Sequence, residues 1–410
     1  MHILFLTQVL PYPLDAGPKV RAYFVLRYLA QFHRVTLVSF VRQSDTPENI
    51  AHLQQFCANV HTVPMPRSKW RDGAHLVRSL VTRQPFIMAR DWLPAMESKL
   101  KEVVASMGPV DAIHADQLWM APYALRARQF VTNGHQPRIV LDQHNAVYLI
   151  PQRLMANERS PLKHTLLRLE SRKLAQYEVD VCRQFDHVVW VTGEDYRAVQ
   201  EQVTEPGETV GNSGVIPICV DPDCSNRIER KPRARRVTFL GGLHYPPNAE
   251  GICWFAKEVF GRILAEIPDA VLTVIGKQPP EQLTQLGIPV ANLDILGYVD
   301  DPRPYLEQTA AFIVPLHAGG GMRVKILDAW TWGMPIVSTT VGAEGTNIRP
   351  GENILIADSP EAFATATVSL LNDPLHGERL AVAGEEWVRQ HYSWHTTYQL
   401  WDRIYTTSSC

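Results

Sequence analysis

Short apolar runs rich in β-branched residues alternate along the chain with stretches whose apolar positions recur every three or four residues. That alternation predicts parallel strands, buried on both faces, joined by crossover helices. His2 to Leu6 reads as a first strand and Pro11 to Pro18 as a loop. The next stretch reads as a helix with Ala22, Val25, Leu26, Leu29 and Phe32 on one face. Pro18 suits its first turn. Further strands are predicted at Val35–Val38, Ala112–Ile113, Ile139–Leu141 and Val188–Val191, with helices over Leu93–Ser106 and Pro161–Gln184. A second, similar series begins near Arg235, with strands at Val237–Leu240, Val271–Ile275, Phe312–Pro315 and Pro335–Ser338. Between them Asn226–Arg233 is polar and reads as the linker. The expected division is 1–225, 226–390 and a closing helix over 391–410 that returns toward the N-terminal domain. In that last piece Trp394, Tyr398, Trp401 and Tyr405 stand at helical spacing, the pattern running from His391 to Thr407.

Composition narrows the class. At about 150 residues per domain, 410 residues make two or three domains. Lys+Arg 40 against Asp+Glu 42 argues against a nucleic-acid partner held by bulk charge. A chain 45% hydrophobic and 20% charged folds into a globular protein. No apolar run approaches the roughly 18 residues of a membrane helix. The opening MHILFLTQVL lacks a cationic start and a small-residue cleavage site, so it reads as a buried strand. Six scattered cysteines without a C-x-x-C predict a reduced, cytoplasmic setting.

The most informative segment is Gly319-Gly320-Gly321-Met322-Arg323-Val324-Lys325-Ile326-Leu327-Asp328, between a strand and a helix. Three glycines let backbone N–H groups approach an anion, and a helix N-terminus favours negative charge. Arg323 and Lys325 oppose the helix dipole there, which a nearby phosphate would explain. Asp328 shares a face with Lys325 and can accept hydrogen bonds from ribose hydroxyls. The opposing reading is a solvated loop and a helical ion pair of about 0.2–0.5 kcal/mol.

With Phe239-Leu240-Gly241-Gly242, Pro247-Asn248, Val274-Ile275-Gly276, Gly297 to Asp301 and the run from Gly319 to Gly345, the C-terminal half resembles the donor domain of family 4 glycosyltransferases. The GGG-x-R-x-K phrase is similar to that of one branch. The resemblance implies the GT-B architecture, α/β with two Rossmann-like domains facing across a cleft. It implies transfer of a sugar from a nucleotide-diphosphate sugar to an acceptor hydroxyl with retention, in polysaccharide or glycolipid biosynthesis. Glu344, Gly345 and Thr346 close the donor phrase. Two departures stand out. The family's paired glutamates fall on Gly320 and Asp328, so the carboxylate that faces the donor sugar is missing. Its Arg and Lys after the first donor-domain strand fall near Gly242 and Asn248, leaving Arg323 and Lys325 to meet the diphosphate.

In the N-terminal half the resemblance puts the donor-facing loop glycine on Gly17 and the active-site histidine on His144. Lys19 and Arg21 add charge beside Gly17, equally well as a solvated helix face. His114, Asp116 and Asn145 are expected to line the acceptor cleft, since open α/β sheets place ligands at strand C-terminal ends. A metal held by the histidines with Asp116 or Asp142 is the less favoured reading, and no metal or other cofactor is expected. Asp221-Pro222-Asp223 reads as a turn and Asp300-Asp301-Pro302 as a helix start. Two stretches are basic, Arg67 to Lys101 and Arg153 to Lys173 (Arg159 among them); with Trp70, Leu76, Leu80 and Phe86 interleaved, the first suits an anionic membrane surface or simply solvated helix faces. The expected partners are a nucleotide sugar and a glycan or lipid-linked acceptor, with peripheral contact at the inner face of the membrane. Two other classes stay open: a sugar-nucleotide epimerase of the same fold, and a non-catalytic binding protein.

Overall fold

The computed structural model describes residues 1–406 apart from 67–68, 133–135, 157, 159, 206, 224–226 and 232–233. The chain divides into two units, Met1–Cys219 with Trp394–Cys410, and Val220–Ser393.

The first unit is built on β1 (His2–Thr7), β2 (Arg34–Val41), β3 (Asn59–Pro64), β4 (Ala112–Asp116), β5 (Arg138–Gln143), β6 (His187–Trp190) and β7 (Ser213–Val215). They pair in the order β3-β2-β1-β4-β5-β6-β7, all parallel. β1 and β4 are buried at every residue, as central parallel strands covered on both faces must be. The second unit has β8 (Arg236–Leu240), β9 (Val271–Ile275), β10 (Leu293–Gly297), β11 (Thr309–Val314), β12 (Ile336–Ser338) and β13 (Leu355–Ile356). Their order is β10-β9-β8-β11-β12-β13, again parallel. In each sheet the direction of winding reverses beside the first strand, between β1 and β4 and between β8 and β11. A crevice opens at such a reversal at the strands' carboxyl ends, where ligands bind. Asp116 ends β4, and Gly17, Gly241 and Gly319–Gly321 come after β1, β8 and β11.

Several elements depart from expectation. The Gly17–Phe32 helix is buried from Val20 to Leu26 and at Tyr28 and Leu29, while Phe32 is exposed. Its outer side is covered by the returning segment: Phe24 meets Trp394 at 5.8 Å between rings and Tyr28 meets Tyr398 at 6.3 Å. That segment is not one helix but two short ones, Trp394–Thr397 and Asp402–Tyr405, with a 3-10 turn Tyr398–Trp401 between them. Its four periodic aromatics are all buried; Thr407 lies outside the described residues. The crossing between units falls at Cys219–Val220 and the return at Ser393–Trp394, rather than at 225 and 390. Ile216, Ile218 and Cys219 are buried in the first unit. The expected linker belongs to the second unit, where Arg227 pairs with Glu378 and Glu385, and Arg230 with Glu378; Asn226, Pro232 and Arg233 are outside the described residues. No helix among the described residues is long and apolar enough to cross a membrane.

Candidate functional site

Two polar constellations stand at the two sheet reversals, each within its own unit. In the second unit β11 runs into a loop that ends at Arg323, the cap residue of the Val324–Thr331 helix. Gly319 (φ 112°) and Gly321 (φ 72°) hold left-handed backbone that side chains resist. The Arg323 guanidinium turns back on this loop, donating to the Gly320 carbonyl at 2.7 Å, the Gly321 carbonyl at 3.3 Å and the Val341 carbonyl at 3.3 Å. Glu344 lies 3.9 Å from it. The arginine thus shapes the loop as well as lending it charge. Met322 is buried beneath.

Lys325 points to the loop after β8. Its Nζ donates to Asn248 Oδ1 at 2.8 Å and lies 4.6 Å from the centre of the Phe239 ring. Asn248 Nδ2 in turn donates to the Gly242 carbonyl at 2.9 Å. A Cβ on Gly241 would come within 2.6 Å of Nζ, so only glycine leaves the ammonium its place. Gly276 abuts the same turn, where its Cβ would lie 1.9 Å from the Gly241 carbonyl oxygen. Burial, with Arg323 nearby, pushes the Lys325 amine down to about 7 against the pull of Asp328. Burial pushes the half-buried Asp328 carboxyl up to about 7, against Lys325. Lys325 therefore reaches Asn248, one of the positions where the expected cations are missing. Asn248 and Phe239 were not identifiable as its neighbours from spacing, nor was Tyr245, whose hydroxyl would lie 3.1 Å from a Cβ on Gly319.

In the first unit β4, β5 and the Gly17–Phe32 helix converge on a buried charge cluster. Arg21, far from being solvated, has no exposed side-chain surface. It forks onto both Asp142 oxygens at 2.9 Å and donates to the Pro217 carbonyl at 2.6 Å and Tyr398 Oη at 3.2 Å. Burial raises the Asp142 carboxyl, but Arg21 outweighs it and holds the group below the usual carboxylate range. His144 Nε2 lies 2.9 Å from Asp116 Oδ1 and 4.0 Å from Asp142. Burial raises Asp116 against the opposing pull of His144. The His144 Nδ1 finds no hydrogen-bond partner among the described residues. Lys19 pairs with Asp15 at 3.0 Å, beside Gly17 at the helix start.

The structure places His114 and Asp116 beneath the surface, both fully buried, not along an open face. His114 stacks on Phe5 at 4.1 Å and shares a 2.7 Å hydrogen bond between Nδ1 and Tyr405 Oη. Burial, with Arg21 and His144 near, drives it down to about 3. It is a neutral core histidine. Asn145 is half-buried beside His144. His114, Asp116 and Asp142 offer ligand atoms within 4.8 Å of one another. Arg21 already supplies that cluster with a fixed positive charge. His144, bonded to Asp116 and with a side chain 9% exposed, lies beside the cluster and nearer to solvent.

A structure of the Anabaena protein HepE in complex with UDP and glucose aligns over 98% of this chain and 99% of its own, with TM-score 0.67 at 15% identity. WaaG, a glycosyltransferase involved in lipopolysaccharide biosynthesis, aligns over 99% and 100% with TM-score 0.64 at 14% identity. The chain has the GT-B fold. Residues 234–373, the heart of the second GT-B unit, match the family described as Glycosyl transferases group 1. Among curated relatives, an uncharacterised 44.6 kDa protein in the cps region of Klebsiella pneumoniae is 21% identical over 93% of this chain and 94% of its own. The phosphatidyl-myo-inositol mannosyltransferase of Mycobacterium leprae is 29% identical over 49% of this chain, which spans 55% of that protein.

Proposed function

We propose that this GT-B chain is a glycosyltransferase of the branch with the GGG-x-R-x-K phrase. It moves a hexosyl or related sugar from a nucleotide-diphosphate sugar to an acceptor hydroxyl, with retention, in polysaccharide or glycolipid assembly. The observation that carries the reading is that Lys325 Nζ reaches Asn248 in the loop after β8 while Gly319 and Gly321 hold left-handed backbone in the loop after the neighbouring β11, both at the second sheet's reversal. The group 1 match over the same unit supports it.

The chemical demand is to stabilise the departing diphosphate. Loop N–H groups and the Lys325 ammonium are fixed beforehand, so little reorganisation is needed as negative charge develops. Arg323 keeps the loop in shape and adds charge behind it. Asp328 receives the ribose hydroxyls. In this assignment the charge is met by these groups without a metal ion. His144 faces the transferred sugar, oriented by Asp116 through Nε2, with Gly17 giving the backbone close approach. The acceptor is a glycan or lipid-linked hydroxyl, and the chain works in the cytoplasm.

The test is thermal unfolding with UDP, GDP, ADP and dTDP, followed by product analysis. A diphosphate at 100 times its Kd adds about 2.7 kcal/mol to stability. We expect one base to stabilise the wild type and not Lys325→Ala, and the matching sugar nucleotide to release free nucleotide diphosphate with an acceptor. An epimerised sugar nucleotide, or no binding at millimolar concentration, refutes the assignment.

A further inference from the structure

Gln117 stands directly after β4, between Asp116 and the 3-10 turn Leu118–Met120, with φ 71° and ψ 159°. Glycine adopts that backbone freely, whereas a Cβ there crowds its own chain. Among the described residues two non-glycines have positive φ. The other, Gln278, is exposed, but Gln117 is buried.

Its neighbours fix this conformation. The Gln117 amide donates to the Asp142 carbonyl on β5 at 2.9 Å, and its carbonyl accepts from the Met120 amide at 3.0 Å, which closes the turn. Relaxing φ would break both bonds. A glycine would meet the same constraints without strain, so what a glutamine adds at this position is its side chain.

That side chain turns back on its neighbour. Nε2 donates to Asp116 Oδ2 at 3.5 Å, while Oδ1 of the same carboxylate lies 2.9 Å from His144 Nε2. Both Arg21 bonds to a carboxylate go to Asp142 instead. Among the described residues Gln117 and His144 are thus the side chains that bond Asp116. Asp116 is fully buried, and an oxygen left without a donor there would favour protonation or rotation of the group. With both oxygens accepting, Asp116 stays a carboxylate held between two donors. The neutral histidine then carries its proton on Nε2 and keeps Nδ1, which has no partner among the described residues, as an acceptor.

We infer that Gln117 is a positioning residue: its strained backbone aims the amide at Asp116, and Asp116 so held fixes the ring and tautomer of His144. The consequence for catalysis rests on the transferase reading; the hold on Asp116 does not.

The experiment compares the wild-type full chain with Gln117→Ala and Gln117→Gly. Both variants lose the amide, but only the second frees the backbone. Gln117→Gly should melt about 2–4 °C above Gln117→Ala, the reverse of the usual order. In 15N spectra above neutral pH the His144 ring should be the Nε2-protonated form in the wild type and a mixture of tautomers in both variants. With a turned-over sugar nucleotide, both variants should lower kcat about 10-fold and leave the donor KM unchanged. Equal melting temperatures for the two variants would overturn the inference by showing an unstrained backbone. An unchanged tautomer, a kcat within about twofold of the wild type in both, or activity lost in Gln117→Ala and kept in Gln117→Gly would overturn it by removing the role of the amide. A wild type without transfer activity refutes the transferase reading instead, and the melting and tautomer comparisons still decide the hold on Asp116.

Discussion

Lys325 should make nucleotide binding depend on pH above neutrality. Its amine sits at about 7 because burial and Arg323 disfavour the charged form. A diphosphate on the Gly319–Gly321 loop brings at least two negative charges beside it, which restore a value near the usual ~10.4. The free protein then loses the required proton over a range where the complex keeps it. At pH 7 about half the free amines are protonated, and at pH 9 about one in a hundred. Affinity should fall about fiftyfold between these limits, or ~2.3 kcal/mol. The phosphate's own ionisation, near pH 6, is complete below this window. Asp328 ionises near pH 7 and holds the lysine proton more firmly, so it can flatten the slope but not reverse it. The assay is calorimetric titration with the favoured nucleotide diphosphate at pH 7, 8 and 9, in buffers of different ionisation enthalpy. It should show uptake approaching one proton at pH 9. Lys325→Met should bind weakly with no proton uptake. A wild-type Kd constant within twofold from pH 7 to 9, with no proton taken up, would refute the reasoning.

Three further outcomes follow from the packing. Arg21→Met strands the buried Asp142 charge and should cost about 3–5 kcal/mol, read as faster amide exchange in β1 and β5; adding Asp142→Asn should recover part of it. Gly384→Ala sets a Cβ 2.1 Å from Trp330 Cδ1 and should destabilise the second unit by about 1–3 kcal/mol in urea unfolding, and an unchanged midpoint would contradict that crowding. Asp116→Asn should leave nucleotide binding intact and reduce kcat about 10–100-fold, by freeing the His144 ring to turn; equal kcat would remove Asp116 as its positioning partner.

The central strands were legible because burial on both faces makes them continuous apolar runs. The strands not foreseen are β3, β7, β10 and β13, the outermost strands of the two sheets. Asn59, Pro64 and Val215 are exposed, and β10 is only half-buried throughout, so these carry too weak a hydrophobic signal. The glycine loop and its helix were readable because their chemistry is local. Arg21 was not: Asp142 lies 121 residues on and Tyr398 377 residues on, and nothing near Arg21 in sequence marks it as buried. The contact of Lys325 with Asn248 spans 77 residues and was equally hidden. His114 was read as a cleft residue from its strand-end position, which does not distinguish inward from outward.

The return of Trp394–Tyr405 to the first unit sets an order of events on the ribosome. The 174 residues of Val220–Ser393 are contiguous and can fold as they emerge, whereas the unit begun first is finished last. At about 5–20 residues per second its strands wait roughly 10–35 s for Tyr398 and Tyr405 to reach Arg21 and His114. During that interval the Gly17–Phe32 helix lacks its outer cover, and a nascent chain stalled before Trp394 exposes Phe24 and Tyr28 to chaperones and proteases.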